Sequence, residues 1–151
     1  MSSNDIIRLN VGGVTYATSL ATLLSEKNGT LAQWFDPGKL SNPPLPADRN
    51  GAYFIDRDGK TFRIILNYLR LKSAGQLWEA CLPKDPDRLA LLTQEAEYFR
   101  LTLLRHAAIQ LINVCADRAD AGYINQLMVK SASCPMGFDK EPPLGSTEND
   151  A

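Results

Sequence analysis

A mixed α/β fold is the class this sequence predicts, and three stretches carry that prediction. Residues Ile6 to Val11 alternate in polarity and run into Gly12-Gly13. Residues Tyr53 to Arg70 pass from a short apolar strand through a charged turn into a helix that is apolar on two sides. From Arg88 onward the apolar residues recur at helical spacing.

The elements follow in order. In the first strand Ile7, Leu9 and Val11 point one way, and Ile6, Arg8 and Asn10 the other, as in a half-buried strand. Gly12-Gly13 signals a hairpin, because both residues adopt positive φ without steric cost. Val14 to Thr18, β-branched or aromatic at most positions, is the return strand. Ser19 or Thr18 caps a short helix over Leu20 to Leu24. Lys27 to Thr30 forms a turn, and Leu31 to Phe35 a second short helix. Four prolines (Pro37, Pro43, Pro44 and Pro46) forbid regular structure between Asp36 and Gly51. A loop of that length in a compact domain is often functional.

Tyr53 to Ile55 is a third strand, and Asp58 the N-cap of a helix over Lys60 to Leu71. Phe62, Ile65, Leu66 and Leu69 form one apolar stripe, while Ile64, Tyr68 and Leu71 form a second. Two stripes require neighbours on two sides, leaving Arg63, Asn67 and Arg70 for the rim. Gly75, Pro83 and Pro86 make Lys72 to Asp87 loop-like, with Leu77 to Leu82 a short strand or turn that covers Trp78. Arg88 to Phe99 is a helix with Leu89, Leu92, Ala96 and Phe99 on one side and Glu95 and Glu97 elsewhere. Leu101 to Cys115 marks another helix, and Asp120 to Lys130 a short last one. The Ser, Pro, Gly, Asp and Glu content from Ser131 onward predicts a disordered tail over 131–151.

Composition excludes several function classes. Sixteen Lys and Arg against 17 Asp and Glu leave a net charge of −1, without the basic excess of a nucleic-acid binder. Three separated cysteines, with no leader-like N-terminus, suit a reducing compartment; the expected location is the cytoplasm, with the nucleus as alternative. No apolar run approaches the ~18 residues of a membrane helix, so no membrane partner is expected.

The apparent catalytic motifs do not assemble. Gly59-Lys60-Thr61 looks like the end of a phosphate loop, but Phe54 stands where the first glycine must be. Asp56-Arg57-Asp58-Gly59 hints at a calcium loop, yet Gly59 comes too early and the closing glutamate is missing. His106, Cys115 and Cys134 lack zinc-ligand spacing, and a lone histidine serves no nucleophilic triad. Asn28-Gly29-Thr30 matches a glycosylation acceptor but reads as a turn. Glu95 and Glu97 face different directions and cannot act as an acid/base pair. Catalytic, metal and cofactor residues are therefore expected to be absent. Asp56, Arg57 and Asp58 are left as a solvated turn or a subunit contact, and Trp34-Phe35 as core packing or an interface anchor.

Leu9-Asn10-Val11-Gly12-Gly13 followed by Tyr16-Ala17-Thr18, together with Leu31 to Phe35, Tyr53 to Arg70 and Glu95-Ala96-Glu97-Tyr98-Phe99, resembles the BTB/POZ domain in its potassium-channel tetramerisation form, closest to the soluble KCTD proteins. The resemblance covers about residues 5 to 105 and implies a small mixed sheet of about three strands covered by helices. It implies a BTB/POZ domain over 5–105 and a C-terminal helical extension over 106–130. It further implies homo-pentamers or tetramers and a non-catalytic role as a cullin-3 ubiquitin-ligase adaptor that recruits an unidentified target. A regulatory subunit of a channel or signalling complex is the alternative. Carried onto this chain, Asp56, Arg57, Asp58, Lys60 and Arg63 would lie at the protomer contact, and Trp34, Phe35, Leu45 and Tyr53 on the partner surface.

Overall fold

The computed structural model describes residues 2–38 and 43–129. The expected 131–151 tail lies outside the described residues. Two compact units divide between Ile112 and Asn113. The first holds the sheet and all the helices up to that point.

Strand β1 (Ile6–Val11) and strand β2 (Val14–Ser19) form the expected antiparallel hairpin. Gly12 (φ 56°) and Gly13 (φ 98°) make its two-residue turn, a backbone that side-chain-bearing residues rarely adopt. The alternation places Ile7, Leu9 and Val11 inward, each at most 5% exposed, while Ile6 stands 67% exposed on the other face. Strand β3 (Tyr53–Ile55) adds to β1 in parallel, Leu9 opposite Tyr53 and Val11 opposite Ile55, so the sheet order is β2-β1-β3. A parallel neighbour needs a long crossover. Helix α1 (Leu20–Leu23), helix α2 (Thr30–Phe35) and the proline-rich loop supply it. Ser19 is the cap of α1, its hydroxyl accepting from the Thr22 N–H.

Helix α3 (Gly59–Ser73) runs against the sheet. Its first stripe, Phe62, Ile65, Leu66 and Leu69, is fully buried. The second is covered by a short 3-10 helix, Trp78–Cys81, where a strand or turn was expected. There the Trp78 ring stands edge-on to Tyr68 at 5.0 Å, and the Cys81 Sγ lies 4.0 Å from the Ile64 carbonyl. Four residues between Leu77 and Leu82, with no strand beside them to pair, wind into one turn that covers the tyrosine. Tyr68 donates to Glu26, which also holds Lys72 at 3.1 Å; burial pushes the Tyr68 hydroxyl well above the ordinary tyrosine range.

Helix α4 (Pro86–Tyr98) starts two residues earlier than Arg88. Asp85 caps it and Pro86 sits at its first position, where the missing N–H costs nothing. Arg100, at φ 56°, turns the chain into helix α5 (Thr102–Val129). Two helices were expected there; one continuous helix is found, crossing the expected 105/106 domain boundary. No proline interrupts residues 102–129, and the lone Gly122 is tolerated inside a long helix.

Candidate interaction surface

The charged turn after β3 is held by the hairpin tip. The Ile55 carbonyl accepts from the N–H groups of both Gly12 and Arg57, at 2.9 and 3.0 Å. A Cβ on Gly12 would strike the Arg57 carbonyl, and one on Gly59 would strike the Val11 carbonyl and the Val14 side chain. Only bare glycines let the two turns close on each other. Tyr16 locks the junction by donating its hydroxyl to the Gly59 carbonyl at 2.5 Å.

Asp58 then begins α3 as expected. Its carboxylate accepts from the Thr61 hydroxyl and the Thr61 N–H, at 2.5 and 3.2 Å. The Thr61 hydroxyl bond, with help from backbone N–H groups, holds this carboxyl below the usual aspartate range. Arg57 turns the other way. Its Nε and Nη2 donate to the two carboxylate oxygens of Glu95 at 3.0 and 2.7 Å, which raises the guanidinium's pKa further. The same guanidinium lies 4.1 Å from the centroid of the Tyr98 ring.

Tyr98 joins two groups that the sequence reading assigned to separate surfaces. Its ring meets Trp34 of α2 edge-on at 6.3 Å. The Thr30 hydroxyl donates to the Tyr98 carbonyl at 3.2 Å, fixing the start of α2 against the end of α4. Arg57, expected at a protomer contact, and Trp34, expected on a partner surface, thus share one patch. Leu91 lies seven residues before Tyr98 on the same side of α4, and the two are 48% and 42% exposed.

The remaining expected site residues scatter. Asp56, Lys60 and Arg63 are exposed. Phe35 is in the core at 2% exposure, its ring edge-on to Tyr53 at 5.3 Å, so its side chain supports a surface without being part of one. Tyr53 and Leu45 are half-buried.

Glu95 is a correction. It was expected off the apolar side of its helix, yet it is 7% exposed within the buried stripe formed by Leu92, Ala96 and Phe99. The spacing Leu92, Glu95, Ala96, Phe99 (i, i+3, i+4, i+7) was the available signal, since a carboxylate at such a position requires a cation. Glu97 does point to solvent, 3.5 Å from Arg105.

Among the described residues, no group of three or more His, Cys, Asp or Glu side chains could hold a metal. Burial raises the Cys81 thiol, which makes it a poor nucleophile. No described helix is long and apolar enough to cross a membrane. The arrangement offers a rigid patch of ring, aliphatic and cationic groups, suited to binding another protein surface.

Comparison with known proteins agrees with this character. A BTB/POZ domain family model matches residues 7–109. The mouse and human BTB/POZ domain-containing proteins KCTD21 (Mus musculus and Homo sapiens) are each 43% identical over 104 residues. The match covers 69% of this chain and 36% of each relative, so the chain spans just over a third of their length.

Proposed function

The chain belongs to the BTB/POZ domain family, in its potassium-channel tetramerisation form, and from that premise we propose that it is a self-assembling adaptor that docks a cullin-3 scaffold in the cytoplasm and presents a target protein to it. BTB/POZ domains are protein-interaction domains that commonly self-associate. The observation that carries the adaptor reading is the exposed Leu91–Tyr98 stripe with Trp34 and Arg57 beside it. Exposed apolar side chains rimmed by charge mark protein-binding surfaces, and aromatic and arginine side chains anchor them. Assembly would place several identical sites on one particle, raising avidity without a new contact. Asp56, Asp58, Lys60 and Arg63 are the exposed charged residues proposed for the contact between copies.

Two measurements test this. Light scattering on the eluted full chain gives its mass, expected to be a multiple of 16.6 kDa. Capture on an immobilised cullin-3 N-terminal region gives the scaffold contact, expected to weaken at least about tenfold in Leu91→Asp or Trp34→Ala. An assembled chain that does not bind this region is instead a regulatory subunit of another complex. A strictly monomeric chain removes the proposal altogether.

A further inference from the structure

The junction between α4 and α5 holds a cavity of about 360 Å³ that the surfaces described above do not use. Ala96 and Leu101, each at most 1% exposed, give it an apolar floor. Asn28, Glu97, Arg100, Thr102 and Arg105 give it a polar rim. Glu97 precedes Tyr98 on α4, but adjacent helix residues face different ways, so the cavity is separate from the Leu91–Tyr98 stripe.

Backbone bonds hold the parts of this cavity together. The Leu101 N–H donates to the Ala96 carbonyl at 2.8 Å and the Arg100 N–H to the Glu97 carbonyl at 3.1 Å, closing α4 with a Schellman turn. The Thr30 N–H donates to the Phe99 carbonyl at 2.9 Å, which ties the turn bearing Asn28 to the same junction. The Schellman turn puts Arg100 at φ 56°, a position where glycine is the usual residue because it has no Cβ to strain. The backbone gains nothing from an arginine there, so the use of one lies in its side chain. That guanidinium is exposed and makes no hydrogen bond or ion pair among the described residues.

Arg105 also has donor capacity to spare. Its Nε is shut off from water and makes no hydrogen bond; the Glu97 carboxylate stands 3.5 Å away. The two side chains are 38% and 69% exposed, so this ion pair is weak. Leu101, at the cap position of α5, has no side-chain acceptor for the first N–H groups of that helix. Two guanidiniums with unmet donors therefore meet a hydroxyl, an amide and a helix start around one small cavity. A carboxylate offers two oxygens and one charge to such a set. A phosphate monoester offers three strong acceptor oxygens and close to two charges, and arginine is the residue best shaped to hold it.

Resting on the adaptor reading above, we infer that this cavity takes a phosphoserine or phosphothreonine side chain of the recruited target, its phosphate held by Arg100 and Arg105 and its carbon atoms lying against Ala96 and Leu101. Glu97 is the competitor: its carboxylate occupies Arg105 until the phosphate displaces it into water.

Phosphorus NMR on the full chain tests this, because line broadening reports weak binding whatever the size of the assembly. The probe is a capped Gly–phosphoserine–Gly tripeptide. Its phosphorus line is expected to broaden with added protein. As competitors, the same tripeptides with serine or glutamate in place of phosphoserine, and inorganic phosphate, are each expected to be at least about tenfold weaker. Arg100→Gly and Arg105→Gln are each expected to weaken binding at least about tenfold, and Glu97→Gln to strengthen it several-fold. Arg100→Gly relieves the positive φ, so its unfolding midpoint is expected at or above that of the wild type and its loss of binding is not a loss of fold. No broadening of the tripeptide, equal competition by the glutamate tripeptide or by inorganic phosphate, or undiminished binding in both arginine variants overturns the phosphorylated ligand. Capture on the cullin-3 region, measured on the same samples, keeps the two readings apart. Capture without tripeptide binding overturns this inference alone, and tripeptide binding without capture overturns the cullin-3 reading and with it the assignment of the ligand to a ligase target.

Discussion

Removing Arg57 should destabilise the fold more than removing its partner Glu95. The pair is bidentate, at 2.7 and 3.0 Å, with side-chain exposures of 30% for Arg57 and 9% for Glu95. Glu95→Ala deletes two charge-assisted bonds but leaves a guanidinium that still reaches water, a loss of about 2 kcal/mol. Arg57→Ala leaves a carboxylate that solvent can barely reach and also removes the contact with the Tyr98 ring. That places it near the lower end of broken buried pairs, about 3 kcal/mol. At roughly 4 °C per kcal/mol for a domain of this size, the midpoints fall by about 8 and about 12 °C. The double variant should cost less than the two single losses added, by about 1 kcal/mol or more. Thermal and urea unfolding must be compared at one protomer concentration, because assembly itself shifts the midpoint. A loss below about 1 kcal/mol for Arg57→Ala would place the pair with exposed ion pairs and refute the reasoning. Strict additivity in the double variant would refute it equally.

Gly59→Ala should destabilise despite adding a better helix former. The propensity gain is about 1 kcal/mol, but the new Cβ meets the Val11 carbonyl, and backbone displacement costs about 1–3 kcal/mol. A raised melting midpoint would contradict this. Asp58→Ala should cost about 1 kcal/mol at neutral pH as a lost N-cap. Because the Asp58 carboxyl is lowered in the folded state, its contribution is present above the unfolded aspartate value and is lost as pH falls through the folded one. Urea unfolding of the variant should therefore lose less stability between neutral and acid pH than the wild type does; an identical decline counts against it. Tyr68→Phe should cost about 1 kcal/mol, since Glu26 keeps Lys72 as a partner. A loss several times larger, measured by urea unfolding, would mean that the hydroxyl has a further role.

Much of the architecture was legible because it is written in short-range signals. The alternation of Ile6 to Val11 and the paired glycines specify the hairpin within a few residues. Asp58 announces its helix by local capping chemistry; Asp85 carries the same signal, yet its helix was expected only from Arg88. Two apolar stripes on α3 foretold neighbours on two sides. They did not foretell that one neighbour would be a single 3-10 turn, because which segment covers Tyr68 depends on chain that returns from farther along. The break expected near Asp120 failed for a related reason: polar residues weaken helical periodicity without interrupting the backbone bonds that continue the helix.

The strands, the main helices and the family resemblance could be read before folding, since each depends on residue types and spacings within one stretch. Folding alone brings Glu95 to Arg57, 38 residues away, joins Trp34 and Arg57 at Tyr98, and places Phe35 in the core. Long-range pairing is the physical difference. A charged or aromatic side chain carries no local mark of the partner that will neutralise or cover it, and that partner is chosen only when the sheet and helices close.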